Sequence, residues 1–265
     1  GFFRKPSKSF NSNKLISAIE DISNQEIEAL QKYCKENRFK LVIHSPYVFN
    51  FAKEENHDDY QFTQIKRELM VAHMIGAIGC VIHVGKYLEL TEHKATANML
   101  CSLKHIAKYI EDNNLTSKLI LETAAGQGSE MIVTTDNSLA PFAAFYNMFT
   151  DIEKESIKIC MDTCHIFVAG MDIRTRPGVD NVFKQLKLFD LEQHIAVIHF
   201  NDSAKDYGTR VDRHGAIGQG FIGFSGLSQV LKHAYRLKIP CVLETPGDAY
   251  EEEIPWMTEM INKCI

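Results

Sequence analysis

Six short apolar segments of this sequence each end in a residue that can bind a metal ion. The segments read KLVIHS, CVIHVG, KLILET, IKICMDTCH, IAVIHFND and CVLETP, and the residues at their ends are His44, His83, Glu122, Asp162, His199 and Glu244. Imidazole nitrogen and carboxylate oxygen suit zinc, with manganese and iron as competitors. Burying these groups together without a metal would leave costly polar groups in a small space. The residues therefore predict a metal centre and a metalloenzyme.

The spacing of these residues indicates the elements that position them. Successive members lie 39, 39, 40, 37 and 45 residues apart, a period that fits one strand, one helix and two loops. A parallel βα repeat that closes on itself is a TIM barrel, and its chemistry lies at the C-terminal ends of the strands. The expected fold class is therefore α/β, a TIM (β/α)8 barrel.

Hydrophobic patterning places the individual elements. Continuous apolar runs, typical of strands covered on both faces, predict strands at 39–44, 80–84, 118–122, 157–162, 195–200 and 240–244. Amphipathic patterns predict helices at 14–36, 58–77, 91–113, 138–149, 178–191, 225–237 and 251–263. The first 38 residues offer at most the end of one strand, at Gly1–Phe3, so we expect the barrel to lack its first strand in this chain.

Length and composition limit the class of protein. The 265 residues suit a single barrel domain spanning 1–265, and 45% hydrophobic with 24% charged residues is ordinary for a globular chain. No apolar stretch approaches the roughly 18 residues of a transmembrane helix, and the N-terminus lacks the apolar core of a signal peptide. Seven cysteines without close repeated pairs argue against a disulfide framework. We expect an intracellular, reducing compartment, cytoplasm or nucleus, with no secretion and no membrane association.

Two local motifs enlarge the set of candidate ligands. In MDTCH, Asp162 and His165 are three residues apart after a strand. In RVDRH, Asp212 and His214 flank Arg213, so an extended backbone points both side chains the same way. Nine candidate ligands are too many for one ion and suit three ions with a shared carboxylate. Clustered ions about 3.5–4 Å apart are usual in phosphodiester hydrolysis.

Two other patterns are interpreted without new chemistry. GQGFIG, with Gly218, Gly220 and Gly223, matches a dinucleotide-binding pattern but follows a polar loop instead of a strand. Its glycines are expected to let a loop pass close to substrate or metal. Cys164 is interpreted as a packed thiol, because its spacing from Cys160 is unlike that of a zinc ribbon.

Five motifs in order, LETAAGQGSE, DTCHIFVAG, HFNDS, GTRVDRH and IPCVLET, together with VIHSPYVFN, resemble the endonuclease IV family of apurinic/apyrimidinic-site DNA endonucleases (family 2). The resemblance runs from about residue 2 to residue 257. It implies a TIM barrel with three zinc ions, manganese or iron being able to take some of the positions. It also implies hydrolysis on the 5′ side of an abasic site, leaving a 3′-hydroxyl and a 5′-deoxyribose phosphate, and trimming of blocked 3′ ends.

The resemblance assigns the ligands in three sets. His44, His83 and Glu122 hold one zinc; Glu122 bridges to a second zinc held by Asp162, His199 and Glu244; and the third is held by His165, Asp212 and His214. Either Glu122 or Glu244 is expected to orient or deprotonate the attacking water. All nine positions match the family pattern in type, whereas its first strand and Gly-rich turn have no counterpart here.

The expected partner is double-stranded DNA with abasic sites or blocked 3′ ends, bound by a monomer. A target inside a duplex must turn outward to reach a recessed cluster, and the gap favours an inserted side chain. Tyr47 and Val48, after the ligand His44, and Lys8 in an earlier loop match the family's DNA-penetrating positions, with Lys and Val in place of Arg and Leu.

Net charge is the main objection to DNA binding. The formal charge is −5, whereas three divalent ions would bring it to +1. Basic residues also follow the strands and are expected to meet phosphates, Arg210 and Arg213 foremost: Lys5, Lys8, Lys86, Arg174, Arg176, Lys205, Arg210 and Arg213. A sugar isomerase or epimerase on a similar barrel is the alternative function, since it would need only one or two ions and no Asp-Arg-His triplet. A non-catalytic binder of damaged DNA is a third interpretation.

Overall fold

The structure, a computed structural model, describes residues 23–54, 59–247 and 249–263. Among these residues the strands are, in chain order, β1 Ile43–His44, β2 Gly79–Ile82, β3 Lys118–Glu122, β4 Ile157–Asp162, β5 Ile195–His199, β6 Asp202–Ser203, β7 His214–Gly215 and β8 Cys241–Val242. Six of them form one parallel sheet in the order β1-β2-β3-β4-β5-β8. The other two, β6 and β7, pair antiparallel in the segment between β5 and β8.

Helices connect successive strands of the parallel sheet. In chain order the described helices are α1 Asn24–Asn37, α2 Tyr60–Ile75, α3 Glu92–Asp112, α4 Ala140–Tyr146, α5 Asp151–Ser156, α6 Thr163–Ala169, α7 Arg176–Leu188, α8 Gly223–Leu237 and α9 Tyr250–Asn262, with a 3₁₀ turn at Glu192–His194. Side-chain caps begin several of them: Ser23 with Glu26 and Thr150 with Glu153 form capping boxes. No described helix combines the length and the apolar character needed to cross a bilayer.

One face of the sheet carries a layer of apolar side chains, followed by a layer of polar side chains towards the C-terminal ends of the strands. The apolar layer takes one residue from each of five neighbouring segments: Val42, Val81, Ile120, Cys160 and Val197. Side chains two residues apart on a strand point to the same side. Two residues further along each segment are His44, His83, Glu122, Asp162 and His199, and Glu244 likewise follows Val242. The pleat of the strands therefore places six predicted ligands in one layer at the C-terminal end of the sheet.

Most predicted elements are confirmed, with differences at their ends. The predicted strands 39–44 and 240–244 shorten to two residues each, because β1 and β8 are the edges of the described sheet and pair on one side only. The predicted helix 138–149 is wrong as one unit: α4 ends at Tyr146, and α5 begins separately after Thr150. Predictions for Gly1–Phe3 and for 14–22 fall outside the described residues.

Candidate metal centre

All nine predicted metal ligands lie together at the C-terminal end of the parallel sheet. A cavity of about 210 Å³ is lined by His44, His83, Glu122, His165, Asp212, His214 and Glu244, together with the loop residues Ser45, Pro46 and Tyr47. The remaining two, Asp162 and His199, are buried, and His199 Nδ1 lies 2.7 Å from Glu122 Oε1 and 3.9 Å from Asp162 Oδ2. The centre is therefore open to solvent on one side.

Glu122 lies at the middle of the cluster. Its carboxylate is 1% exposed and approaches four imidazoles: His199 Nδ1 at 2.7 Å, His44 Nε2 at 3.3 Å, His83 Nδ1 at 3.4 Å and His165 Nδ1 at 3.6 Å. Burial alone would raise the pKa of Glu122, but the charges of His199 and His83 and the short contacts with His199 and His44 lower it well below its usual range. A carboxylate among four imidazoles has the position that a bridging ligand requires.

The second ligand set is linked by an amide. Asn201 Nδ2 donates to Asp162 Oδ2 over 2.7 Å and to Glu244 Oε2 over 3.3 Å, and the main-chain N–H of Glu244 donates back to Asn201 Oδ1 over 2.8 Å. His199 Nδ1 lies 3.0 Å from Glu244 Oε2. Burial raises the pKa of Glu244. The hydrogen bond with His199 and the charge of His199 outweigh this effect, so the pKa is lowered overall.

The third ligand set comes from α6 and from the segment before β7. Asp162 caps α6 by accepting the N–H of His165 over 2.7 Å, which fixes the first turn of that helix. Asp212 Oδ1 lies 3.3 Å from His165 Nε2 and 3.4 Å from His214 Nε2. Burial raises the pKa of Asp212, but the close approach and charge of the imidazoles of His165 and His214 outweigh it and lower the pKa to about 2.

The tautomers of three histidines fit metal ligands. Nδ1 of His165 donates to the carbonyl of Thr123 over 2.9 Å, Nδ1 of His214 to the carbonyl of Glu244 over 3.2 Å, and Nδ1 of His44 to the carbonyl of Ser45 over 2.8 Å. Each bond leaves a lone pair on Nε2, the usual ligand atom when a carbonyl holds the other nitrogen. Nε2 of both His165 and His214 is buried and has no hydrogen-bond partner. Buried polar atoms are rarely left unpaired, so the chemistry of these two atoms fits that of metal ligands.

Ligand geometry agrees with two of the three implied sets. The potential ligand atoms of His44, His83 and Glu122 lie within 4.8 Å of one another, and so do those of His165, Asp212 and His214. His44, His199 and Glu244, which belong to the first two sets, also lie within that distance of one another. Two further combinations contain Cys160 or Cys164, both fully buried thiols. Burial raises the pKa of each of these two thiols to about 12, which keeps both protonated and makes the oxygen and nitrogen donors the better ligands.

Some supporting residues were not predicted as part of the site. Asn201 joins Asp162 to Glu244, and Thr123 accepts the N–H of Asp162 through Oγ1 over 3.0 Å while its carbonyl holds His165. Thr123 directly follows Glu122 and Asn201 lies two residues after His199, and this proximity to a ligand was the only signal for them in the sequence.

Of the predicted DNA contacts, Tyr47 lines the cavity, and Val48 and Arg213 are adjacent in the sequence to residues that line it. Tyr47, which lines the cavity, is 63% exposed and Val48 is 42% exposed. Arg210 and Arg213 are exposed, and Arg213 Nη1 donates to the carbonyl of Asp212. Lys8, with Lys5, lies outside the described residues.

The wider basic set is partly neutralised. Lys86 lies 3.6 Å from Glu130, Arg174 binds Asp172 through two nitrogens, and Arg176 lies 3.4 Å from Asp180. These three cations are therefore less available to phosphates than the sequence alone predicts.

A strand-end metal centre on a parallel α/β sheet is typical of barrel metalloenzymes, and comparison with known proteins agrees. The family model described as "Xylose isomerase-like TIM barrel" (AP_endonuc_2) matches residues 8–260, which confirms the predicted fold class. A protein of Acanthamoeba polyphaga mimivirus named "Putative endonuclease 4" is 34% identical over 221 residues, 80% of this chain and 68% of that protein. "Probable endonuclease 4" of Sulfurihydrogenibium sp. is 32% identical over 247 residues, 92% of this chain and 85% of that protein.

A solved structure gives the same fold. The crystal structure of endonuclease IV from Thermus thermophilus superposes with a TM-score of 0.71 at 22% identity, covering 91% of this chain and 83% of that one. The chain therefore belongs to the endonuclease IV family and is a metal-dependent endonuclease.

Proposed function

We propose that this protein hydrolyses the phosphodiester on the 5′ side of abasic sites in double-stranded DNA, leaving a 3′-hydroxyl and a 5′-deoxyribose phosphate, and that it also removes blocked 3′ ends. The observation that carries the proposal is the convergence of nine candidate ligands, with Glu122 in the middle and unpaired Nε2 atoms on His165 and His214. Family membership supports the substrate class.

The donor set suits three zinc ions, manganese or iron serving at some positions. His44, His83 and Glu122 would hold the first, Glu122 with Asp162, His199 and Glu244 the second, and His165, Asp212 and His214 the third. Bound divalent ions of this kind acidify water towards about pH 7 and neutralise charge on a phosphate.

Glu122, Glu244 and Asn201 have separate proposed roles in the reaction. The carboxylate of Glu122 is 1% exposed and surrounded by imidazoles, so it serves as bridge and as charge balance. The side chain of Glu244 is 13% exposed and lines the cavity, so it can reach a water molecule there. We therefore assign to Glu244 the task of orienting that water and accepting its proton. Asn201 restrains Glu244 through one hydrogen bond to its carboxylate and one from its main-chain N–H.

Recognition of the lesion falls to the rim of the cavity. The exposed side chains of Tyr47 and Val48 are proposed to fill the space that an extruded nucleotide leaves in the duplex. Arg210 and Arg213 supply exposed cations for the backbone phosphates, and Lys8 is proposed to act with them. A short Val and a Lys in place of Leu and Arg give a weaker wedge, because Lys cannot stack as a guanidinium does.

We further propose a single-domain monomer acting in a reducing intracellular compartment. Cys34, Cys80, Cys160, Cys164 and Cys241 carry free thiols, which supports the compartment.

A sugar isomerase or epimerase is the alternative function, favoured by the family model's description as xylose isomerase-like. It would need one or two ions and would have no use for His165, Asp212 and His214 as a further set. The Nε2 atoms of His165 and His214 argue for that further set.

The test combines cleavage with metal analysis. Purified protein is incubated with a duplex oligonucleotide that carries one abasic site and a label at the 5′ end, and elemental analysis gives zinc per chain. We expect a product ending in a 3′-hydroxyl, which a polymerase extends, and about three metals per chain. About one metal per chain with no cleavage would support the isomerase instead. Binding of the abasic duplex without cleavage, at full metal content, would leave only the non-catalytic binder.

A further inference from the structure

The glycine-containing segment Gly218–Gly223 surrounds a buried carboxylate of the protein itself. Asp202 is fully buried, and its two oxygens accept main-chain N–H groups from Ser203 at 2.7 Å, Gly218 at 2.9 Å, Gly220 at 3.1 Å, Ile222 at 2.9 Å and Gly223 at 3.2 Å. Successive main-chain N–H groups that converge on one point form an anion-binding concavity. In this protein the anion is a side chain, so the glycine pattern binds a carboxylate of the chain itself.

Close approach of the backbone requires glycine at the centre of this segment. A Cβ atom on Gly220 would overlap the carbonyl oxygen of Ser203 and would lie 2.5 Å from Oδ1 of Asp202. Any side chain at this position would therefore push the segment away from the carboxylate.

Asp202 also pairs through its backbone with β7, the strand that carries the ligand His214. Asp202 belongs to β6, where it pairs with Gly215, and its neighbour Ser203 pairs with the ligand His214. This ladder is only two residues long, and an isolated ladder of that length is marginal. The side chain of Asp202 binds the segment that follows β7, and its backbone pairs with β7 itself. Asp202 therefore restrains the backbone of His214 in two ways.

We infer that Asp202 is a positioning residue for the third metal: by binding the segment Gly218–Gly223 it fixes β7, and through β7 the ligands His214 and Asp212. The inference rests on the proposed function, since it takes the third ligand set to be a metal site. Asp202 touches neither substrate nor metal in this arrangement, because its oxygens are occupied by main-chain N–H groups.

Two substitutions remove the restraint in different ways. Asp202→Asn keeps the size of the side chain but turns one acceptor oxygen into a donor, which then faces N–H groups. Gly220→Ala leaves the carboxylate intact and displaces the segment instead. Gln219→Ala is the matched control, because Gln219 is an exposed residue of the same segment.

The assay is zinc binding, measured by chelator competition with Zn²⁺ alone and by elemental analysis after dialysis. Residues that orient metal ligands typically contribute 10- to 100-fold in affinity. We expect both variants to bind the weakest-held zinc roughly 10- to 100-fold less tightly and to retain about two metals per chain, with the other two affinities unchanged. Excess zinc should restore the count, and Gln219→Ala should match the parent.

Separate outcomes distinguish the inference from the function on which it rests. A parent with fewer than three metals, or without cleavage of an abasic duplex, would remove the proposed function. A parent with three metals and full cleavage, beside variants that also keep three at parental affinity, would overturn only the role of Asp202. Loss of all metals together, or unfolding of both variants, would also overturn it, because the carboxylate would then support the whole barrel. Adding Asp202→Asn to a variant that lacks Asp212 and His214 should cause no further metal loss.

Discussion

Replacement of Glu122 by glutamine tests the centre of the proposed mechanism. Glu122→Gln keeps the length and planarity of the side chain but removes its charge and turns one oxygen into an amide nitrogen. In the parent, Oε1 lies 2.7 Å from His199 Nδ1, and Oε2 lies 3.3 Å from His44 Nε2 and 3.4 Å from His83 Nδ1. The glutamine has one acceptor oxygen for all of these positions, so it can serve one metal but cannot bridge two.

The size of the effect follows from burial. Glu122 is 1% exposed, so solvent cannot replace the missing charge. Removing one partner from a buried charged cluster costs about 3–5 kcal/mol. At about 1.4 kcal/mol per factor of ten, we expect cleavage of an abasic duplex to fall roughly 100- to 5,000-fold if the loss appears in the transition state.

The fold should be retained, because the sheet beneath Glu122 is built from apolar side chains that the substitution leaves in place. Single-turnover cleavage gives the rate, elemental analysis the metal content, and circular dichroism the fold. Glu155→Gln is the control, since the side chain of Glu155 is 77% exposed on α5. A rate within about threefold of the parent, with the fold intact, would refute a bridging role for Glu122.

The remaining predictions concern the third metal, the lesion and the pH dependence of stability. Asp212→Ala with His214→Ala should lower the metal count by about one and reduce cleavage severely; elemental analysis that matches the parent would show that the third set is misassigned. Tyr47→Ala should raise KM for an abasic duplex by about tenfold or more, the usual value of a stacked base, and much less for a frayed 3′ end. The control is Tyr235→Ala, at an exposed tyrosine on α8. Equal effects on both substrates, or an equal effect of the control, would refute the wedge. Burial and two nearby lysines lower the pKa of His194, so its contribution to stability is complete above its unfolded pKa of about 6.5 and is lost as the pH falls through its folded pKa. The free energy of unfolding of the parent, measured in urea, should therefore approach that of His194→Asn between pH 7 and pH 5, and a constant difference would contradict this.

The sequence predicted the six candidate ligands at strand ends because strand geometry repeats. His83 and Glu122 each end an apolar run, and the spacing of such runs shows that they belong to neighbouring strands. The supporting groups were not predictable in this way. Asn201 contacts Asp162 and Glu244 across three different segments, and a polar residue after a strand gives no sign of which partners the fold will supply.

Helix boundaries show the same limit on a local scale. The apolar pattern of 138–149 predicted one helix, whereas the chain leaves the helix after Tyr146 and starts a new one at Thr150. The buried hydroxyl of Tyr146 donates to the carbonyl of Ile157 over 2.7 Å, a tertiary bond to the next strand that periodicity cannot show. α6 was missed because only seven residues separate Asp162 from Gly170.

The three proposed metal positions depend on different parts of the fold. Ligands of the first two follow the apolar layer of the sheet by two residues, so the pleat of the barrel fixes their direction, and any change that keeps the barrel keeps them. The third set draws His165 from a seven-residue helix and His214 from a two-residue strand. Its geometry therefore rests on a few hydrogen bonds, chiefly those of Asp162 to α6 and of Asp202 to the segment after β7. It follows that loosening these loops should remove the third metal first, while the barrel and the other two positions remain.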